Sequence, residues 1–133
     1  MVFDPASEAG PGGFDRLYGL SVTDCSEDLV RGTVEVRDQL RQPGGFVHGG
    51  VYGAIADALA VRGTAAGVAP QGNVAIGLAN HTMVVHPIAG GTIHATATRR
   101  HRGRTTWVWE VELSDGDGRA CVSGRVTVAV RDR

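Results

Sequence analysis

The sequence contains no lysine: its 13 basic residues are all arginines, and 14 acidic residues bring the formal net charge to −1. A balanced charge gives no general attraction for nucleic acid or for an anionic membrane surface. No apolar run reaches the length that spans a bilayer, and no charged-then-apolar leader opens the chain. We therefore expect a soluble, cytoplasmic protein with neither a nucleic-acid nor a membrane partner.

Cysteine is also scarce. Cys25 and Cys121 are far apart and form no CxxC pattern, which favours reduced thiols. No trio of histidine, cysteine and acidic residues has the spacing of a metal site, and His81 and His86 would lie on opposite faces of a strand. The sequence also has no GxSxG elbow, no GxGxxG loop after a strand and no Walker sequence. We expect neither a metal nor a cofactor.

The chain of 133 residues is long enough for one domain with a hydrophobic core. Residues 1–13 are rich in glycine, proline and small polar residues, which predicts a flexible tail, and residues 14–133 then form the domain. A short helix or turn is expected to follow the tail and to dock through Phe14, Leu17 and Leu20.

Alternating apolar residues predict the strands. In residues 105–113, Trp107, Trp109, Val111 and Leu113 share one face, and the two tryptophans are expected to belong to the core or to an interface. The same alternation predicts five strands in all, at residues 29–37, 73–85, 92–101, 105–113 and 120–130. Short glycine-containing turns separate the last four strands, and such links imply antiparallel neighbours.

Residues 51–66 predict a helix that is apolar nearly all round and should therefore be enclosed by other structure. Its one acidic residue is Asp57, and no arginine stands three or four residues away to neutralise it. Burying a carboxylate is costly, so Asp57 is interpreted as a desolvated nucleophile or general base with a raised pKa. The alternative is an exposed acid on a helix of small residues.

Directly before this helix, residues 42–50 read QPGGFVHGG. A glycine-rich turn at a helix start presents free backbone N–H groups, which can hold a developing negative charge. The N–H of Gly49 is therefore a candidate to polarise a carbonyl oxygen. His48 either positions the bound group or a water molecule, or caps the junction between loop and helix. An acid and an oxyanion-binding turn on one element indicate acyl chemistry.

Gln42, the His48-Gly49-Gly50 turn and Asp57 at this spacing resemble the motif of the hotdog-fold acyl-CoA thioesterases. The pattern is most similar to the phenylacetate-type and the dihydroxynaphthoyl-CoA and hydroxybenzoyl-CoA branches. The likeness extends over about residues 14–130 and includes Gly77-Leu78 and the sequence HRGR that begins at His101. The resemblance implies an α+β hotdog fold, in which a single antiparallel sheet of five or six strands wraps around one long helix.

The resemblance also implies roles for individual residues. Asp57 takes the position of the catalytic carboxylate, the N–H of Gly49 binds the thioester oxygen, and Gln42 and His48 flank the thioester. Gly50 completes the turn at the substrate. Some relatives hold a water molecule through Thr or Ser one turn after the acid; this chain has Val61 there, which leaves Thr64 as the candidate.

Contacts to coenzyme A are assigned less directly. Relatives with a basic pair on the strand after Gly77-Leu78 bind the phosphates there, and this chain has Val84 and His86 instead, so His86 is the candidate. The densest basic cluster covers Arg99 to Arg104. It is either a solvated hairpin turn or a phosphate contact that uses Arg102, Gly103 and Arg104, because arginine forks suit phosphate.

The function that follows is hydrolysis of an acyl-CoA to a free acid and coenzyme A, with Asp57 as nucleophile or general base. The resemblance favours an aromatic acyl group, in a pocket shaped by Phe46, Tyr52, Ile55 and Leu59. An open sheet edge predicts a homodimer.

The resemblance further implies a tetramer of two dimers whose active sites lie between subunits, with Asp57 from one chain and His48 and Gly49 from the other. Two alternatives stay open: a hotdog-fold enoyl-CoA hydratase or dehydratase, and a non-catalytic acyl-CoA-binding module.

Overall fold

The computed structural model describes residues 13–133. The tail predicted for residues 1–13 therefore lies outside the described residues, except for Gly13, which begins the first helix. The elements follow in the order α1 (Gly13–Tyr18), β1 (Ser21–Cys25), β2 (Leu29–Glu35), α2 (Gly49–Val68), β3 (Asn73–Val84), β4 (Thr92–Arg102), β5 (Thr106–Ser114) and β6 (Ala120–Asp132). Two short 3-10 turns, Asp38–Leu40 and Ala69–Gln71, flank α2.

All six strands form one antiparallel sheet in the order β1-β2-β4-β5-β6-β3. The long helix α2 packs across the inner face of this sheet and contacts every strand. The structure confirms the hotdog architecture and the single long helix, which begins two residues before the predicted start. No helix among the described residues has the length and apolar character that crossing a membrane requires.

The core forms between α2 and the inner face of the sheet. Trp107 and Trp109 are fully buried there, which confirms them as core residues. Their rings lie so close to α2 that a Cβ added at Gly63 would overlap Trp109, and one added at Gly67 would overlap Trp107. Glycine at these two positions thus allows the helix to approach the tryptophan strand.

The first two elements of the chain, α1 and β1, differ from the prediction. Strand β1 was not expected, because its sequence SVTDC is short and polar and its residues are mostly exposed, so that no apolar alternation marks it. Helix α1 docks through Tyr18, which is 4% exposed, whereas Phe14 and Leu17 are 64% and 69% exposed. The predicted docking through Phe14 and Leu17 is therefore wrong.

Strand β3 is an edge strand of 12 residues, which confirms the strand that apolar alternation predicted at residues 73–85. Its larger apolar side chains are nevertheless exposed in one chain, with Ile76 at 51%, Leu78 at 57% and Met83 at 57%. A register shift between Gly77 and Ala79 makes Leu78 a bulge residue in the pairing with β6. A long, exposed apolar edge is a surface that native proteins cover.

Candidate active site

His48 is the N-cap residue of α2. Its backbone is extended, with φ −63° and ψ 135°, and its Nδ1 accepts a hydrogen bond of 2.8 Å from the N–H of Gly50. The acceptor role of Nδ1 leaves the ring proton on Nε2, which is free to donate. His48 therefore caps the helix, as one of the two interpretations predicted. It also lines a groove at the helix start.

The N–H of Gly49 is the first in α2. Among the residues that the structure describes, none accepts a hydrogen bond from it, whereas the N–H of Val51 donates to His48 O at 2.9 Å. Gly49 is exposed, so its N–H is open to a ligand. The positive end of the helix dipole strengthens such a donor.

The loop before α2 is held by backbone hydrogen bonds on both sides. The N–H of His48 donates to Leu40 O, and that of Val47 donates to Ile88 O, each at 2.8 Å. Within the loop, the side-chain oxygen of Gln42 accepts from the N–H of Gly44, and Gly45 adopts a left-handed φ of +93°. Gln42 therefore shapes the turn with its oxygen, while its amide NH₂ stays available to a ligand.

Asp57 lies in the middle of α2 on a stripe that the sheet leaves open. The side chain is exposed in one chain, so the expectation of a helix enclosed on every side is wrong along this stripe. The carboxylate is partly desolvated because one of its sides lies against β3. This desolvation, together with the negative charge of Asp15 on α1, raises the pKa of Asp57 above its ordinary value of 3.8.

Gly77 makes room for this carboxylate, and the sequence did not identify it as a site residue. A Cβ at position 77 would overlap Asp57 Oδ1. The available signal was an isolated glycine inside a strand, which often indicates a close approach of another group.

We expect Gly77→Ala to displace the carboxylate and to lower kcat by about tenfold or more, because small misplacements of a catalytic group are costly. The overlap is with the end of a flexible side chain, so the melting temperature should change little. Gly116→Ala is the matched control, since no atom lies within 4 Å of a Cβ added there. Steady-state kinetics and thermal unfolding of both variants check this; an unchanged kcat in Gly77→Ala would show that the carboxylate does not need its observed position.

A groove of about 550 Å³ runs from the start of α2 to α1. Its walls are mainly apolar and include Phe14, Leu17, Val51 and Ala54, with His48 at its edge. The residues that were expected to shape an acyl pocket do not line this groove. Tyr52, Ile55 and Leu59 are instead fully buried in the core, so their predicted place in the pocket is wrong. The hydroxyl of Tyr52 instead accepts a hydrogen bond from the N–H of Ile88 at 3.1 Å.

Thr64 has no access to substrate or solvent. It is fully buried, its hydroxyl donates to Ala60 O at 2.9 Å, and it accepts a hydrogen bond of 2.9 Å from Trp109 Nε1. Thr64 follows Asp57 by two helical turns on the same face, about 10 Å along the axis. The sheet covers that face at Thr64 but not at Asp57. Thr64 is therefore a core residue, and the prediction that it binds substrate or water is wrong.

Two of the three predicted phosphate contacts in the hairpin, Arg102 and Gly103, have partners within the chain. Arg102 pairs with Glu27 at 2.9 Å and lies over the ring of Trp107, 4.8 Å from its centroid. The N–H of Gly103 closes the hairpin by donating to Thr106 O at 2.9 Å. Arg104 has no ion-pair or hydrogen-bond partner among the described residues, so it is the arginine of these that remains open to a ligand.

The arginine hairpin is separate from the helix start, whereas His86 lies two residues before Ile88, whose carbonyl accepts the N–H of Val47 in the loop before α2. His86 is exposed in the segment after β3, and its N–H donates to Cys121 O at 3.0 Å. Trp107 lies against Gly67, 18 residues after Gly49 on α2, and 18 residues of helix measure about 27 Å. Residues 13–133 contain no group of three or more His, Cys, Asp or Glu side chains that could hold a metal ion.

Gly49 and Asp57 are eight residues apart on one continuous helix. At 1.5 Å per residue the N–H and the carboxylate are separated by about 12 Å along the axis. A single carbonyl group cannot contact both, since reacting atoms must approach to about 3 Å. One chain therefore carries both halves of an acyl-transfer site without joining them.

Comparison with known proteins agrees with this chemistry. The model of the family described as the thioesterase superfamily matches residues 44–122, which contain the helix start and Asp57. A protein of Mycobacterium tuberculosis that is provisionally named an esterase is 35% identical over 115 residues, covering 85% of this chain and 82% of its own length. Its solved structure superposes with a TM-score of 0.88 at 33% identity, covering 92% of this chain and 98% of the other.

A second relative, the 1,4-dihydroxy-2-naphthoyl-CoA hydrolase of Listeria monocytogenes, is 27% identical over 121 residues, covering 91% of this chain and 98% of its own length. The proofreading thioesterase EntH of Cronobacter turicensis is 29% identical over 132 residues, covering 98% and 94% of the two chains. The family match spans more than half of the chain and includes the elements that form the site. This protein belongs to the thioesterase superfamily and is a thioester hydrolase.

Proposed function

We propose that the protein hydrolyses an acyl-CoA, with an aromatic acyl group, to the free acid and coenzyme A. The observation that carries this proposal is the pair of groups on α2: an unpaired N–H at Gly49 and a carboxylate with a raised pKa at Asp57. The first suits the oxygen of a thioester, and the second suits a nucleophile or general base.

The aromatic preference rests on the apolar groove beside the helix start, which Phe14 and Leu17 border. One relative is named for a naphthoyl-CoA substrate. Two solved variants of a Staphylococcus aureus protein also replace a glutamine and a glutamate that are fifteen positions apart. Gln42 and Asp57 have the same spacing in this chain. This likeness supports a role for both residues at one site.

The proposed reaction starts with the thioester oxygen accepting the N–H of Gly49, which polarises the carbonyl carbon. In one route, the Asp57 carboxylate attacks this carbon, the C–S bond breaks with coenzyme A leaving as the thiolate, and water then hydrolyses the anhydride. In the other route, Asp57 takes a proton from a water molecule that attacks the carbon. The tetrahedral intermediate then collapses, the C–S bond breaks, and the free acid and the coenzyme A thiolate are released. Single-turnover hydrolysis in ¹⁸O-labelled water separates the two routes. In the anhydride route, water attacks the aspartyl carbon and leaves ¹⁸O in the Asp57 side chain. In the general-base route, the Asp57 side chain gains no ¹⁸O.

The active site is proposed to lie between two copies of the chain, because one helix keeps its two groups about 12 Å apart. Strand β3 runs beside α2 in the opposite direction, with the side chain of Asn80 bound to Gly53 O at 2.9 Å and Gly77 next to Asp57. Twofold antiparallel pairing of two β3 strands would bring the partner's helix start towards Asp57. It would also cover the exposed side chains of β3.

Leu78→Glu tests this dimer, because the charge would lie in the proposed interface. We expect a monomer by light scattering and a loss of activity on the order of 10²-fold, since each site loses its partner's oxyanion donor. Thr23→Glu is a matched control: Thr23 is exposed and lies at the bulge of the other edge strand, β1. A Leu78→Glu variant that is monomeric and fully active would contradict a site shared between subunits.

Three finer assignments accompany the proposal: a phosphate contact, a tetramer and a cytoplasmic location. Arg104 and the exposed His86 are the remaining candidates for the phosphates of coenzyme A, because Arg102 is paired with Glu27. A tetramer of two dimers and a cytoplasmic location stay predictions from the sequence and the resemblance. Cys25 and Cys121 form no disulfide in the structure.

The experiment that tests the proposed activity is the release of free coenzyme A from matched aryl-CoA and alkyl-CoA thioesters. We expect higher kcat/KM for the aryl-CoA substrates, and loss of release in Asp57→Ala. Equal rates for both classes would contradict the aromatic preference. Binding without release would favour the acyl-CoA-binding module, and hydration of an enoyl-CoA would favour the hydratase.

A further inference from the structure

A second carboxylate, that of Asp15, lies close to the catalytic region and has no role in the reaction described above. Asp15 is on α1, and its Oδ1 accepts a hydrogen bond of 2.9 Å from the hydroxyl of Tyr18. Its Oδ2 lies 3.4 Å from the guanidinium of Arg62 on α2. Tyr18 and Arg62 are both buried, so Asp15 is held from two sides by groups that cannot easily move.

The position of Arg62 brings Asp15 near Asp57. Arg62 follows Asp57 by five residues, about 7.5 Å along α2. Side chains of a helix lean towards its N-terminus, so the guanidinium of Arg62 reaches back towards the turn that carries Asp57. The other anchor of Asp15, Tyr18, lines the groove together with Ala54, which lies three residues before Asp57 on α2. The two anchors therefore hold Asp15 at the level of α2 that carries Asp57. The electrostatic effect is mutual within this group, since Asp57 also contributes to the raised pKa of Tyr18, after burial and Asp15.

We propose that Asp15 is a positioning residue of the reaction, a fixed negative charge beside Asp57 that makes Asp57 a stronger base. The inference rests on the proposed role of Asp57 and extends it. A like charge disfavours the ionised form of a carboxyl group, and a general base is more effective as its affinity for protons rises towards the working pH. Tyr18 and Arg62 hold the Asp15 carboxylate in place.

Among residues 13–133, few other charged groups lie on the elements packed around Asp57. On α2 there is Arg62, which offsets part of the charge of Asp15. In the loop before α2, Arg37 and Arg41 are engaged elsewhere: they bind the backbone oxygens of Leu17 and Ala89, and Arg41 also pairs with Asp38. The titratable residue of β3 is His81, which lines the opposite sheet face with Glu110 and Arg125. Asp15 is thus the negative charge that acts on Asp57.

The test compares Asp15→Asn with the wild-type dimer. Asparagine keeps an oxygen acceptor for Tyr18 and removes the charge. We expect the NMR titration of the Asp57 carboxyl carbon, assigned with Asp57→Asn, to move to lower pH. The acid limb of kcat/KM should move in the same direction. At a fixed pH on the acid limb, kcat/KM as a fraction of its plateau value should be higher in Asp15→Asn than in wild type, on the order of threefold. This is the effect expected from one charge several ångströms away that is screened by water.

Two controls separate charge from structure. Asp24→Asn removes an equal charge from exposed strand β1 and should leave both profiles unchanged. Asp15→Glu retains the charge and should stay close to wild type. If the Asp57 carboxyl titrates at the same pH in Asp15→Asn and wild type, Asp15 is an anchor of α1 and the inference is overturned. A shifted titration in a protein that hydrolyses no thioester would support the coupling and refute the proposed function.

Discussion

Asp57→Asn is expected to lower kcat by at least about 10²-fold, the lower range for loss of a general base, and by more if Asp57 is the nucleophile. The amide has nearly the same shape as the carboxylate, so it fits beside Gly77 without new overlap. It can neither accept a proton from water nor form an anhydride. Steady-state kinetics measure the effect, and circular dichroism and light scattering check that the fold and the oligomeric state match those of the wild type. Near wild-type kcat in Asp57→Asn would refute the catalytic assignment.

The same variant should change how stability depends on pH. The pKa of Asp57 is raised in the folded state, so the folded state binds a proton more tightly than the unfolded chain. The wild type therefore loses stability relative to Asp57→Asn as the pH rises through the folded pKa, and the two converge below the ordinary value of 3.8. Urea unfolding of both proteins across this range measures the difference. Greater stability of the wild type at neutral pH would mean that Asp57 gains a stabilising partner in the assembled protein.

Gly49→Pro is expected to lower kcat by about 10²–10³-fold, the usual effect of removing one oxyanion donor. Proline has no N–H, and it is well tolerated at the first position of a helix. His48 already has the extended backbone that a residue before proline requires, and no atom lies within 4 Å of a Cβ at position 49. The substitution thus deletes the donor and leaves the helix start in place.

Gly49→Ala is the control for this substitution, because alanine adds the Cβ and retains the N–H. It should keep kcat within a few-fold of wild type, while the melting temperatures of both variants stay close to that of the parent. If Gly49→Pro were folded and fully active, the thioester oxygen would have to be bound by another donor, and the helix start would lose its proposed role.

Most of the fold could be predicted from the sequence, because strong apolar alternation and one continuous apolar helix define it. Trp107, Trp109 and the other inward residues of β5 are buried as their spacing predicts. Strand β1 could not be predicted, since an exposed edge strand needs no apolar face. The exposure of β3 could not be predicted either, because alternation does not distinguish the core from an interface.

The candidate site was predictable in its parts but not in its arrangement. Asp57 and Gly49 stand out because an acid and a glycine turn are unusual in an apolar helix. Thr64 was misassigned because helical periodicity places it on the same face of α2 as Asp57. The curl of the sheet, which the sequence does not show, covers that face at Thr64 and leaves it open at Asp57. Gly77 and Asp15 lie on other elements, and their approach to Asp57 depends on tertiary packing alone.

The measurement that tests the composite site most directly is subunit complementation between Asp57→Asn and Gly49→Pro. Each variant alone should be nearly inactive. In a mixed dimer, one of the two sites combines an intact Asp57 from one chain with an intact Gly49 from its partner, and the other site lacks both.

Co-expression of the two chains should therefore restore about a quarter of the wild-type activity, since half of randomly formed dimers are mixed and each has one complete site. Activity no higher than the sum of the separate variants, in a sample that mass spectrometry shows to contain mixed dimers, would contradict a site shared between subunits.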